Sequence, residues 1–156
     1  PAMRIINKQG VLNNPADRDH CLQYMVAIAL IKGDLTEDDY KDESAAMPLI
    51  ETLRNKMRVT ENSEFTKDYY DLKQRSIANA VTVHLQDGSM IGPVIAKYPL
   101  GHPLRRKEAL PHLLEKFKKN ISSHYSQEKV DEIITLFNDE KAFDNMRVCD
   151  FIAKFT

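Results

Sequence analysis

The stretch Ala80-Val81-Thr82-Val83-His84-Leu85-Gln86-Asp87-Gly88-Ser89-Met90-Ile91-Gly92-Pro93-Val94-Ile95-Ala96-Lys97-Tyr98 decides the fold class of this chain. Two runs rich in β-branched residues flank Asp87-Gly88, and a tight hairpin turn needs positive φ, which glycine adopts without steric cost. The pattern predicts antiparallel strands over 80–85 and 90–98. Pro93 has no N–H to give to a ladder, so the second strand is expected at an edge or bulged at that point.

Helical patterns lie on both sides of the hairpin. Asn14 suits an N-cap, Pro15 the first helical position, and Asp17 and Asp19 complement the dipole, so a helix is predicted from 15 to Gly33. From Met25 onward its apolar residues cover most of the circumference, which predicts a central, buried helix. Residues 34–51 hold seven acids (Asp34, Glu37, Asp38, Asp39, Asp42, Glu43, Glu51) against Lys41. That reads as a solvated connection with a short helix begun by Thr36. Leu49, Ile50, Leu53 and Met57 predict an amphipathic helix over 47–57. Val59 begins an extended piece, and 64–72 is aromatic-rich without a clear period. Further helices are predicted at 108–121, 126–137 and 148–155. Helices bracketing a small antiparallel sheet make an α+β fold.

Composition bounds the function. At 156 residues the chain has the length of one domain, since these run to roughly 100 to 200 residues. Hydrophobic residues at 42% and charged residues at 29% exclude a disordered or collagen-like chain. With 23 acidic and 22 basic side chains, no global charge attracts nucleic acid or anionic lipid. The longest apolar run, 25–31, is far short of the roughly 20 residues that cross a bilayer, so a cytoplasmic protein without membrane partners is expected. The chain opens on Pro1 and passes straight into Ala2, Met3, Ile5 and Ile6, an abrupt start that suggests a fragment. Cys21 and Cys149 form neither a CxxC nor a Cys/His cluster, so two buried free thiols are expected, with no disulfide and no metal site. No Gly-rich phosphate loop, nucleophile elbow or HExxH appears, and no cofactor is expected.

Three clusters carry the candidate chemistry. Arg18, His20, Gln23 and Tyr24 crowd the entry of the first long helix. There His20 and Tyr24, at i and i+4, would share a face. An imidazole and a phenol near a helix N-terminus suit a carboxylate, or alternatively satisfy hydrogen bonds at a core boundary. The second cluster, Tyr98-Pro99-Leu100-Gly101-His102-Pro103-Leu104-Arg105-Arg106-Lys107, is a strand exit presenting one imidazole and three cations. Paired guanidinium forks match planar carboxylates, so a polycarboxylate fits better than a neutral molecule. A solvated basic face that docks an acidic partner is the other reading. The third, Tyr69, Tyr70, Arg75, Ser76 and Asn79, reads as packing and strand entry, and His84, His112 and His124 read as structural.

The run Leu12-Asn13-Asn14-Pro15-Ala16-Asp17-Arg18-Asp19-His20-Cys21-Leu22-Gln23-Tyr24-Met25-Val26-Ala27 closely resembles a segment of the MmgE/PrpD family, in its dehydratase branch. Arg75-Ser76-Ile77-Ala78-Asn79-Ala80, the Asp87-Gly88 turn and Tyr98-Pro99-Leu100-Gly101-His102 resemble it in the same order, so the likeness covers essentially the whole chain. One departure is that Pro103 and Leu104 follow the Gly-His pair, where the family tends to run arginines without a break. The resemblance implies the smaller α+β domain of the family fold, here over 1–156, without the large N-terminal helical domain. It implies an intact homodimeric hydro-lyase that dehydrates 2-methylcitrate to 2-methyl-cis-aconitate in propionate catabolism, without an iron–sulfur cluster. Most proton-transfer residues would then lie in the missing domain. Arg18, His20, Tyr24, His102, Arg105 and Arg106 become the candidates that bind the tricarboxylate. The same fold also serves cis-aconitate decarboxylases and iminodisuccinate epimerases, and a non-catalytic interaction module is the remaining alternative.

Overall fold

The computed structural model describes residues 3–156; Pro1 and Ala2, which begin the apolar opening, lie outside the described residues. The chain forms two compact units, 1–74 and 75–156.

The first unit is helical: α1 (Met3–Ile6), α2 (Pro15–Arg18), α3 (Leu22–Lys32), a 3₁₀ turn (Glu37–Tyr40), α4 (Asp42–Ala45), α5 (Pro48–Arg54) and α6 (Ser63–Tyr70). Asn14 caps α2 by accepting from the Asp17 N–H at 2.9 Å, and Pro15 takes the first position. The single helix expected from 15 to Gly33 is in fact two. Cys21 stands between them in extended backbone (φ −113°, ψ 105°) and precedes α3. The break re-phases the chain: Arg18 and Tyr24, six positions apart, would point well away from each other on one continuous helix. Here both turn inward.

Helix α3 ends at Gly33 in the left-handed region (φ 78°), with the Gly33 N–H bonded to the Ala29 carbonyl. That is the backbone conformation helix ends favour and glycine adopts freely. The buried side of α3, with Tyr24, Ala27 and Ile28, packs with Cys21 and Ile50 and is flanked by Leu12, Tyr40 and Leu53. The expectation of burial all round is corrected, because Ala29 and Leu30 face solvent. Thr36 and Asp39 form a reciprocal capping box on the 3₁₀ turn, satisfying two otherwise orphaned donors. Asn62 accepts from the Glu64 and Phe65 N–H groups, which settles the ambiguous aromatic stretch as α6.

The second unit begins with the hairpin, β1 (Asn79–His84) and β2 (Met90–Ala96), paired antiparallel with Asn79 opposite Ala96, Val81 opposite Val94 and His84 opposite Met90. The register shifts between Val81 and Val83, so the ladder is bulged where Pro93 interrupts it. Gly92 has φ +99°, and a Cβ there would lie 2.7 Å from the Val81 carbonyl oxygen and 2.9 Å from the Val94 nitrogen. No larger residue fits. Both faces of the ribbon are largely exposed.

Four helices follow: α7 (Arg106–Ile121), α8 (Gln127–Thr135), α9 (Glu140–Asp144) and α10 (Val148–Ala153). Ser126 caps α8, and Asp139 caps α9, which the sequence pattern did not reveal. Ile121, Val130 and Ile133 form the core, with Phe117, Tyr125, Phe137 and Phe155 against it. An aromatic chain extends it: Phe137 stands 5.1 Å from Phe143, Phe143 5.7 Å from Phe151, and Phe151 5.0 Å from Phe155. Of the two thiols, Cys21 is buried as expected. Cys149 is exposed, because its position in the first turn of the short α10 faces outward. Among the described residues no helix is long and apolar enough to cross a membrane.

Candidate functional site

The first unit holds an open concavity of about 610 Å³ whose lining includes Asn13, Arg18, Tyr24, Asp42, Glu51 and Asn55. Arg18 dominates its chemistry. The guanidinium is carried inward by the break after α2, and its side chain is only 6% exposed. Nη1 donates to the Tyr40 carbonyl at 2.6 Å, and Nη2 pairs with the Asp42 carboxylate at 2.7 Å. Nε is buried without a hydrogen-bond partner. A guanidinium held this deep requires an anion, because an unpaired buried charge is strongly destabilising.

Tyr24 lies beside it, its hydroxyl donating to the Asp39 carbonyl at 2.5 Å. Burial pushes the phenol above its usual pKa, while the Arg18 charge acts in the opposite direction. It is therefore a neutral donor whose proton is already committed. Asp39 in turn pairs with Lys32 and accepts from the Thr36 N–H at 2.8 Å. The Lys32 contact, aided by the Thr36 bonds and opposed by burial, holds its carboxyl below the ordinary range. Arg54 braces the wall from outside it: it donates to both carboxylate oxygens of the lining residue Glu51, and its Nη2 donates to the Gly10 carbonyl at 3.1 Å.

His20 does not join Tyr24. It lies in the turn between α2 and α3, exposed, with Nδ1 against the Asp19 carboxylate. The i, i+4 face expected for the pair is lost with the helix break.

In the second unit, His102 and Arg105 fold into one turn that leads into α7. His102 is nearly buried and tilts against the Tyr98 ring at 4.6 Å. Its Nδ1 accepts from the Leu104 N–H at 3.2 Å, which places the proton of the neutral ring on Nε2. That atom is buried without a partner. Arg105 donates to the Tyr98 carbonyl at 2.8 Å and to the Glu108 carboxylate through Nε and Nη2. Arg106 is exposed at the start of α7. The third cluster behaves as strand entry: Ser76 is buried and donates to the Lys97 carbonyl at 2.7 Å.

The sequence profile of the MmgE/PrpD C-terminal domain matches residues 1–140. The chain belongs to the MmgE/PrpD family. Its relatives in that family include a protein named 2-methylcitrate dehydratase from Salmonella typhimurium, 45% identical over 150 residues, covering 96% of this chain and 31% of the relative. The 2-methylcitrate dehydratase of Cupriavidus necator is likewise 45% identical over 150 residues, with the same coverage of 96% and 31%. A protein named 2-methylcitrate dehydratase, mitochondrial, from Yarrowia lipolytica is 44% identical over 151 residues, covering 97% of this chain and 29% of the relative. The chain thus spans about a third of the length of the curated relatives it matches. The MmgE/PrpD assignment matches the α+β reading and the ordered motifs of the sequence.

Asp42, Glu51, Arg54 and Asn55 escaped the sequence reading. Asp42 was one acid among seven in a segment read as solvated, and only the fold brings it to Arg18, 24 positions earlier in the chain.

Proposed function

We propose that this chain is the C-terminal domain of a 2-methylcitrate dehydratase, a hydro-lyase that converts 2-methylcitrate to 2-methyl-cis-aconitate in propionate catabolism. The relatives' names and the extent of the match support the reaction. The geometric support is Arg18, a buried guanidinium facing an open concavity.

Dehydration of a tricarboxylate needs a base beside a carboxylate, an acid to help hydroxide leave, and cations to hold the carboxylates. In this proposal Arg18 takes one carboxylate through Nη2, the nitrogen that faces Asp42, while Nη1 stays on the Tyr40 carbonyl. Asn13 and Asn55 offer neutral donors on the same wall. Tyr24 orients the site from behind, since its proton serves Asp39. His102, through its unpartnered Nε2, and the cations Arg105 and Arg106 are assigned to the substrate as well. Arg105 engages it only by leaving Glu108. His20 is assigned as an outer contact. The groups that move the protons are placed in the N-terminal region that accounts for the relatives' greater length. The intact protein is proposed to be a cytoplasmic homodimer that needs no cofactor, with residues 1–156 its smaller α+β domain.

The test is the ultraviolet absorbance of the alkene formed from 2-methylcitrate, with this chain alone and with the full-length protein. Activity only in the full-length protein is the expected outcome. In that protein Arg18→Gln should lower kcat/KM by roughly 10- to 100-fold, the loss of one charge-assisted contact. An unchanged value removes Arg18 from the site. Turnover of cis-aconitate or iminodisuccinate in place of 2-methylcitrate would move the protein to another reaction of the fold.

A further inference from the structure

Resting on the reading of this concavity as a carboxylate site, we infer that Asp42 is a built-in competitor for Arg18. It occupies the guanidinium in the ligand-free protein and gives way to a substrate carboxylate, and so raises the ligand concentration needed to occupy the site.

The two partners differ sharply in burial. The Arg18 side chain is 6% exposed, whereas that of Asp42 is 79% exposed, at 2.7 Å from Nη2. The guanidinium cannot be left without an anion at this depth. The aspartate returns to water at little cost, as exposed carboxylates do. Arg18 is fixed from the other side by the Tyr40 carbonyl, so it stays in place while its anion changes. Asp42 is carried by α4, a helix of only four residues entered through the extended Lys41 (φ −69°, ψ 158°). Such a short helix is marginal by itself and able to shift. Both groups line the same concavity, with Ala45 and Ala46 of the Asp42 segment on its wall. A ligand carboxylate that reaches Nη2 enters the space that the Asp42 carboxylate fills.

The exchange is charge-neutral at Arg18, one carboxylate for another. A tethered group competes at an effective concentration of order millimolar. A monocarboxylate offers nothing further to overcome that tether. A tricarboxylate gains from its other groups and displaces Asp42 at low concentration, so Asp42 sets the threshold that a ligand's remaining contacts must exceed.

The experiment uses the full-length protein. Asp42→Asn should lower the KM for 2-methylcitrate and the inhibition constant of acetate by a similar factor, roughly 3- to 10-fold, because the tethered carboxylate competes equally with both. A mutation-free arm follows amide hydrogen exchange of the wild-type protein with saturating 2-methylcitrate. Release of Asp42 should speed exchange across 42–46 while the amides of α3 slow or stay constant. A raised KM in Asp42→Asn, unchanged constants for both molecules, or added protection of 42–46 by substrate would each overturn the exchange. Should Asp42→Asn fail to fold, the wild-type exchange decides. If Arg18→Gln leaves KM unaltered, the carboxylate site itself is wrong; if Arg18→Gln raises KM while Asp42→Asn is inert, only the competitor is.

Discussion

The two units solve the problem of a small core in opposite ways. The first buries charge and polarity: Arg18, Gln23, Asp39 and Arg54 are all buried beside Tyr24 and Ile28. The second packs Ile121, Val130 and Ile133 under an aromatic chain and keeps most of its ionic contacts at the surface. Buried ions seldom add stability over apolar residues of the same shape. Arg18 lines the concavity, Arg54 bonds Glu51 and Gly10 of its wall and the Asp39 carbonyl holds Tyr24, so the first unit gives up some packing quality to hold cations and donors in fixed positions. The second, with its exposed hairpin and outward cations, holds its shape by apolar contact.

The core residues provide the largest test of this contrast. Ile28→Ala and Ile133→Ala, both at fully buried positions, should each cost about 2 to 5 kcal/mol in chemical denaturation. Only Ile28→Ala should also weaken substrate binding, since Ile28 packs with Tyr24 behind Arg18. Equal effects on binding would erase the distinction between the units.

A smaller effect is expected in the acid limb of stability. The Asp39 carboxyl is held below its ordinary pKa, chiefly by Lys32. The unfolded chain therefore binds this proton more readily than the folded one. The contribution of Asp39 is complete above the ordinary carboxylate pKa and disappears as pH falls through the depressed folded value. Asp39→Asn should flatten that part of a stability-against-pH curve measured by urea unfolding. An unchanged slope would mean that the pair adds nothing to folding.

The smallest effect belongs to the second unit. Glu108→Gln breaks an exposed pair with Arg105, and such pairs contribute little. The melting temperature should not move, while Arg105, still bonded to the Tyr98 carbonyl, loses the carboxylate that competes with a ligand. A clear drop in melting temperature would show that the surface of this unit is more than solvated charge.

How much of this was legible depends on the range of the interactions. The hairpin, the Asn14 cap with Pro15, and the end of α3 at Gly33 rest on contacts within a few residues, and the sequence carries their chemistry locally. The break between α2 and α3 does not. It depends on Arg18 reaching the Tyr40 carbonyl 22 positions on, and no periodicity within 15–33 contains that information. The site divides along the same line. Arg18 and Tyr24 stood out as polar groups at the entry of an apolar helix, and both line the concavity. His20 was joined to Tyr24 by a helical spacing that the break removes. Asp42 was invisible because an acid in an acidic run looks the same whether it meets water or a buried guanidinium.

The placement of the two cysteines gives the molecule a built-in label for each unit. Cys149 is exposed in the second unit and Cys21 is buried in the first. A thiol reagent added to the folded protein will mark α10 at once, and will reach Cys21 only when the core behind Arg18 opens. The rate of that second reaction times the opening of the first unit directly, in a chain that needs no engineered probe.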